Sequence, residues 1–140
     1  MRKGKSTLIV VILGIIAMLL VACAEPATTP SNQQPIEIVS VLGPLKPINP
    51  GGPNVEITLR NVSTESIVSL TATLELNRTF IFEFNVTSSN PLLPAKSVSA
   101  TLTLIGGGFS DNISYPLRLE GILQNSATFA YTKQVQIMEP

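Results

Sequence analysis

Between Asn54 and Asn61 the chain exchanges apolar for polar at every step. Val55, Ile57 and Leu59 fall on one side, and Glu56, Thr58 and Arg60 on the other. Successive side chains of a strand point to opposite faces, so a period of two marks an extended segment with one face buried. The pattern recurs along most of the sequence. Ile36–Leu42 opens the series. Ile67–Leu76 sets Val68, Leu70, Ala72, Leu74 and Leu76 against Ser69, Thr71, Thr73 and Glu75, and Thr79–Val86 offers Phe80, Phe82, Phe84 and Val86. Ser97–Ile105 places Val98, Ala100, Leu102 and Leu104 on one face. Tyr115–Leu123 does so with Tyr115, Leu117, Leu119 and Leu123, and Ala127–Met138 with Phe129, Tyr131, Val135 and Ile137. No segment shows the 3.6-residue period of a helix, and Gly, Pro, Asn and Ser punctuate the gaps.

Seven such segments, in the roughly 105 residues from 36 to 140, predict an all-β chain: a seven-stranded antiparallel sandwich of immunoglobulin or fibronectin type. One cysteine and no tryptophan rule out the disulfide-and-tryptophan core of antibody domains. Parity also constrains one turn. If Leu74 and Phe82 share a face in a paired hairpin, a two-residue loop would turn one strand's apolar set to solvent. The expectation is therefore a three-residue loop, Asn77-Arg78-Thr79, with Leu76 opposite Phe80, or else two strands in different sheets.

The single cysteine lies outside this pattern. Arg2, Lys3 and Lys5 precede an apolar run from Leu8 to Ala22, and then Cys23. A cationic start, a short apolar stretch and a small residue at its end predict a cleaved secretory signal helix over residues 1–22. About 15 apolar residues fall short of the ~20 that cross a bilayer. Leu20-Val21-Ala22-Cys23 resembles the lipobox of bacterial lipoproteins. That resemblance implies cleavage between Ala22 and Cys23, a diacylglyceryl group on the Cys23 sulfur, and attachment to the membrane through that lipid. Residues 23–35 then form a lipidated N-terminus and tether, since Pro26, Pro30 and Pro35 among Thr, Ser, Asn and Gln favour extended geometry. At ~3.1 Å per residue it spans roughly 35 Å at full stretch. Residues 36–140 are the sandwich domain.

Loss of the leader changes the charge balance. Of 9 basic and 9 acidic residues, Arg2, Lys3 and Lys5 depart with it, leaving a net charge of about −3. That lacks the basic footprint a nucleic-acid partner requires, and no polybasic patch serves anionic lipid.

The stretches NPGGPNVEITLRNVSTESIVSLTATLEL (Asn49–Leu76) and NPLLPAKSVSATLTL (Asn90–Leu104) resemble the CARDB- and NEW3-type domains of prokaryotic surface proteins. In these a Gly-rich turn precedes a strand ending in Arg-Asn or Lys-Asn, and a Leu-x-Pro turn precedes a Ser/Thr-rich strand. The chain is also similar to the FxLYD-type domains of bacterial lipoproteins. Ala95 stands where such domains often carry glycine. The resemblance implies a non-catalytic, cell-surface sandwich.

Chemistry-bearing residues are scarce. There is no histidine, the commonest general base and metal ligand. Lys46, Lys96 and Lys133 occupy polar or turn contexts rather than the desolvated site a nucleophilic pair would need. Glu56, Glu75, Glu83 and Glu120 all have outward parity, the ordinary place for solvated carboxylates. Asp111 is the sole aspartate, too little for a calcium cage. No metal or cofactor is expected. Four Asn-x-Ser/Thr triplets begin at Asn61, Asn77, Asn85 and Asn112. They would suggest glycans in a secreted eukaryotic protein, but the lipobox points to a bacterial source, and abundant Asn, Ser and Thr generate such triplets by chance.

Gly106-Gly107-Gly108-Phe109 is the most unusual loop. No helix follows that could make it a phosphate cradle. It is either a flexible turn without further purpose or a mobile tip presenting Phe109 to a partner. If strands alternate direction, connections 43–53, 77–79 and 106–114 gather at the end away from the tether, with Arg78 beside the Gly106–Phe109 tip. Connections 61–66, 87–96 and 124–126 face back toward the membrane. The sequence thus points to a lipid-anchored extracytoplasmic module of the cell envelope, non-catalytic, with a protein partner at the distal tip. A ligand- or glycan-binding surface lipoprotein is the alternative, and would need exposed aromatic rings on one face. Edge strands could also take up a partner peptide.

Overall fold

The computed structural model describes residues 34–45, 51–110 and 112–140. The leader, the Ala22–Cys23 junction and nearly all of the tether lie outside the described residues, as do Lys46 and Asp111. Seven strands follow in order: β1 (Ile36–Leu45), β2 (Asn54–Asn61), β3 (Ile67–Glu75), β4 (Thr79–Glu83), β5 (Ser97–Thr103), β6 (Ser114–Leu123) and β7 (Thr128–Gln136). They form two antiparallel sheets, β1-β2-β5 and β4-β3-β6-β7. The chain is an all-β sandwich. In the constant-type immunoglobulin order the fourth strand would extend the sheet of the first two. Here it pairs with β3 instead.

The core follows the alternation. Val55, Ile57 and Leu59 of β2, Leu70, Ala72 and Leu74 of β3, and Leu117 and Leu119 of β6 are buried. Phe80, Phe82, Phe84 and Val86 join them from β4 and the segment after it. Register shifts break the period at three places, one of them between Leu42 and Leu45 at the end of β1. A register shift between Ile38 and Ser40 leaves Val39 outside, so Ile36 and Val41, of opposite parity, both point inward. A second shift, between Ile67 and Ser69, carries Ile67 into the core and leaves Val68 half-buried, contrary to the inward position expected of Val68. One extra residue in a strand changes the parity of everything beyond it.

The β3–β4 hairpin corrects another expectation. Both strands belong to one sheet, with Leu74 opposite Phe80 and Glu75 opposite Thr79. The loop is therefore Leu76-Asn77-Arg78, closed by a bond from the Leu76 amide to the Arg78 carbonyl (2.9 Å), and not residues 77–79. The apolar faces still match, because the register moved by two. Thr79, β-branched, continues as strand rather than closing the turn.

Edge β1 is covered at its first residue and again over Val41–Gly43. After β7 the chain crosses to it, with Gly43 donating to the Met138 carbonyl (2.8 Å) and Met138 to that of Val41 (3.0 Å). At the start of β1 the Tyr131 hydroxyl accepts from the Ile36 amide (3.1 Å) and donates to the Ile36 carbonyl (2.8 Å). Such closure withdraws backbone groups from unwanted strand pairing.

Pairing defines two ends. Ile36 lies opposite Asn61, and Arg60 opposite Ser97, at the proximal end, where the chain enters from Pro35. Leu45, Asn54 and Thr103 align at the distal end.

Candidate functional site

The distal end brings together residues far apart in sequence. The Asn77 side-chain amide reaches the Gly106 carbonyl at 3.4 Å, and Gly106 sits against the Arg78 guanidinium. Gly106 has φ +68°, a conformation that costs an L side chain energy. Gly107 passes over the Phe80 ring so closely that an added Cβ would lie 2.4 Å from it, whereas one on Gly108 would meet nothing within 4 Å. Thus Gly106 and Gly107 are required by the path of the loop, and Gly108 stands in open space. The Ser110 amide donates to the Tyr115 hydroxyl (2.7 Å), holding the far side of the loop.

Phe109 is not presented outward. Its ring is half-buried and packs against the core, so the expectation of a projecting Phe109 is corrected. The apolar side chains that do project beside it are Ile105, 67% exposed, and Ile113, 49% exposed. Their sequence signal was parity: Ile105 follows Leu104, which is fully buried, and must face the other way.

At the proximal end a residue that sequence reasoning passed over organises two loops. Asn61 is completely buried. Its amide donates to the carbonyls of Glu65 (2.8 Å) and Leu92 (2.9 Å), and its side-chain oxygen accepts from the Ser63 amide (2.9 Å) and hydroxyl (2.7 Å). Its main chain is engaged as well, its N–H with the Lys96 carbonyl and its carbonyl with the Ala95 N–H, each at 2.9 Å. Asn61 shares the inward parity of Val55, Ile57 and Leu59, and a polar residue continuing an apolar face was the available signal. Ala95 has φ +62°, a left-handed conformation rarely adopted by alanine.

Among the described residues no constellation suited to catalysis emerges. Among the described residues no three His, Cys, Asp or Glu side chains gather to hold a metal. Glu75 and Glu83 are exposed and Glu56 half-buried; Glu120 pairs with Arg118 at 2.8 Å on the surface. Lys96 is exposed, and the Lys133 ammonium lies 5.9 Å from the centre of the Tyr131 ring. Burial raises the Tyr131 pKa above its ordinary value, against a smaller lowering by the hydrogen bond with Ile36.

An open groove of about 460 Å³ runs over the outer face of the larger sheet, lined by Ser69, Thr71, Glu120 and Thr128 among others. Phe129, half-buried, also lines it, while Phe80, Phe82 and Phe84 are buried and Phe109, Tyr115 and Tyr131 are half-buried against the core, so among the described residues no row of exposed rings forms on one face.

No protein-family model and no curated protein matches the chain. Among solved structures, the archaellum periplasmic stator protein complex FlaF and FlaG from Sulfolobus acidocaldarius is similar, at 16% identity and a TM-score of 0.43 over 78% of this chain and 96% of that one. The fold assignment itself rests on the strand pairing of this chain. Of what the CARDB-, NEW3- and FxLYD-type resemblances implied, the β-sandwich is present.

Proposed function

We propose that this chain is an extracytoplasmic lipoprotein, anchored through Cys23, whose sandwich serves as a non-catalytic interaction or structural module of the cell envelope. The carrying observation is the opposition of the two ends. The chain enters at Ile36, and Arg78, Ile105 and Ile113 project from the end where Leu45 and Thr103 lie. Loops on a rigid scaffold are the usual place for binding residues. Two exposed isoleucines and an exposed guanidinium at one end suit a protein surface of mixed apolar and acidic character. The lipobox sequence and the Pro-rich tether supply the anchor and the reach.

In-cell photo-crosslinking tests the distal site. A photoreactive residue at position 105 is expected to give a discrete adduct, and one at Thr64, on the proximal 61–66 loop, none. Equal labelling from both, or from neither, would remove the distal site. The anchor is tested separately: Cys23→Ser should move the protein from the membrane fraction to the soluble one, and a variant that stays membrane-bound would overturn lipidation.

A further inference from the structure

The four Asn-x-Ser/Thr triplets look alike in sequence, but the fold divides them into two kinds. In Asn61-Val62-Ser63 both amide hydrogens are spent on the Glu65 and Leu92 carbonyls and the side chain is fully buried. At the other three, the asparagine and the hydroxyl residue two places on are both exposed: Asn77 with Thr79, Asn85 with Thr87, and Asn112 with Ser114. All three asparagines sit where the chain turns or leaves a strand. Asn77 lies in the β3–β4 loop, Asn85 stands two residues past the end of β4, and Asn112 has φ +64° just ahead of β6. The Asn77 amide makes only the 3.4 Å contact to Gly106, and among the described residues the side chains of Asn85 and Asn112 have no hydrogen-bond partner. The middle residues are Arg78, Val86 and Ile113, none of them the proline that would forbid the extended approach of amide and hydroxyl.

We propose that Asn77, Asn85 and Asn112 are acceptors for N-linked glycans, and that Asn61, in the same motif, is not. The donor is an oligosaccharide activated as the glycosyl ester of a lipid phosphate or pyrophosphate. The asparagine Nδ2 forms a bond to the anomeric carbon as the bond from that carbon to the phosphate oxygen breaks. The lipid phosphate leaves with the electron pair, and the amide proton passes to a base of the transferring enzyme. Two of the sites, 77 and 112, flank the Gly106–Phe109 loop, so their occupancy sets how much bare protein the distal end shows. The proposal rests on the extracytoplasmic reading above, because the donor and its transferase must meet the folded or emerging chain outside the cytoplasm. It replaces the chance origin expected of the triplets from composition: the exposure of both the asparagine and the hydroxyl residue at three of the four is the observation that separates them.

Mass spectrometry of the protein purified from its native host tests both readings in one digest. Glycan-bearing peptides are expected at 77, 85 and 112, with an unmodified peptide at 61 and an acylated peptide beginning at Cys23. Thr79→Ala keeps Asn77 but removes the hydroxyl, and should abolish the glycan at 77 while leaving those at 85 and 112. Each site stands or falls on its own peptide. Unmodified peptides at all three, from a chain acylated at Cys23, overturn the glycan proposal alone. A Cys23 without lipid overturns the anchor whatever the asparagines carry. A glycan on Asn61 overturns the distinction drawn between buried and exposed triplets.

Discussion

The two ends of this sandwich are built by different means. At the proximal end one buried asparagine satisfies backbone groups of two loops at once, and the hydroxyl of Tyr131 holds the first residue of β1 by both its amide and its carbonyl. At the distal end the buried Asn54 accepts from the Thr103 hydroxyl (2.6 Å) where the strands finish. The loops beyond are seated by backbone bonds such as that from the Gly107 amide to the Leu104 carbonyl (3.1 Å), by the fit of glycines against Phe80 and Arg78, by a tyrosine hydroxyl and by one long amide contact, and they leave isoleucines in solvent. Buried polar groups with every partner in place specify a conformation closely, because any rearrangement strands a donor or acceptor. Loops seated on apolar contacts through glycine can change sequence at their outer positions without such a penalty. The outer positions of the distal loops therefore tolerate variation, and the Asn61 loops resist it.

Substitutions can break that contrast. Asn61→Ala should have the largest effect, since it strands the buried Leu92 carbonyl from its side-chain donor and takes one partner each from the Glu65 carbonyl and the Ser63 amide. A loss of about 3 kcal/mol of unfolding free energy is expected by urea titration, against about 0.5 kcal/mol or less for Asn77→Ala. Equal losses would end the distinction between the ends. Next comes Gly107→Ala, whose methyl would collide with the buried Phe80 ring, at a cost of about 1–3 kcal/mol. Gly108→Ala should be close to neutral in the same melt, because nothing lies within 4 Å.

Tyr131→Phe keeps the ring and removes both bonds to Ile36, for a loss of about 1–2 kcal/mol at neutral pH. It also has a pH signature. The folded pKa is raised, so the unfolded chain gives up the phenolic proton first, and stability declines as pH rises from about 10 through the folded pKa. Below the unfolded value the contribution is fully present. Denaturation across pH 9–12 should show a steeper alkaline decline in the parent than in the phenylalanine variant; parallel curves would mean that the hydroxyl is not the group responsible. The smallest effect expected has the opposite sign. Ala95→Gly relieves the left-handed strain at φ +62° and should stabilise by about 0.5–1 kcal/mol, the relief being partly offset by glycine's greater unfolded-state entropy.

Most of the sandwich was legible because period two is a local property. Each strand from β2 to β7 carries its own inward and outward sets, and hydrophobic burial on one face suffices to choose the fold class. The exceptions are the bulges at Val39 and Val68. An inserted residue is invisible to alternation read one strand at a time, since its effect appears only against a partner. The β3–β4 turn shows the same limit. Parity excluded a two-residue loop but could not separate residues 76–78 from 77–79, as both keep Leu74 and Phe82 on one face.

The site divides along the same line. That the chain would carry an unusual glycine loop, no histidine and a lipobox-like Cys23 was determined by the sequence alone. Which of its four similar Asn triplets is structural was decided by tertiary structure, because burial of Asn61 depends on the 87–96 segment returning to place the Leu92 carbonyl within 2.9 Å of its amide. Likewise, only packing against Phe80 and Leu104 drew the loop down so that Phe109 turned inward and Ile105 and Ile113 turned out. Local pattern sets what each residue prefers; contacts between segments distant in sequence decide which preferences are met together.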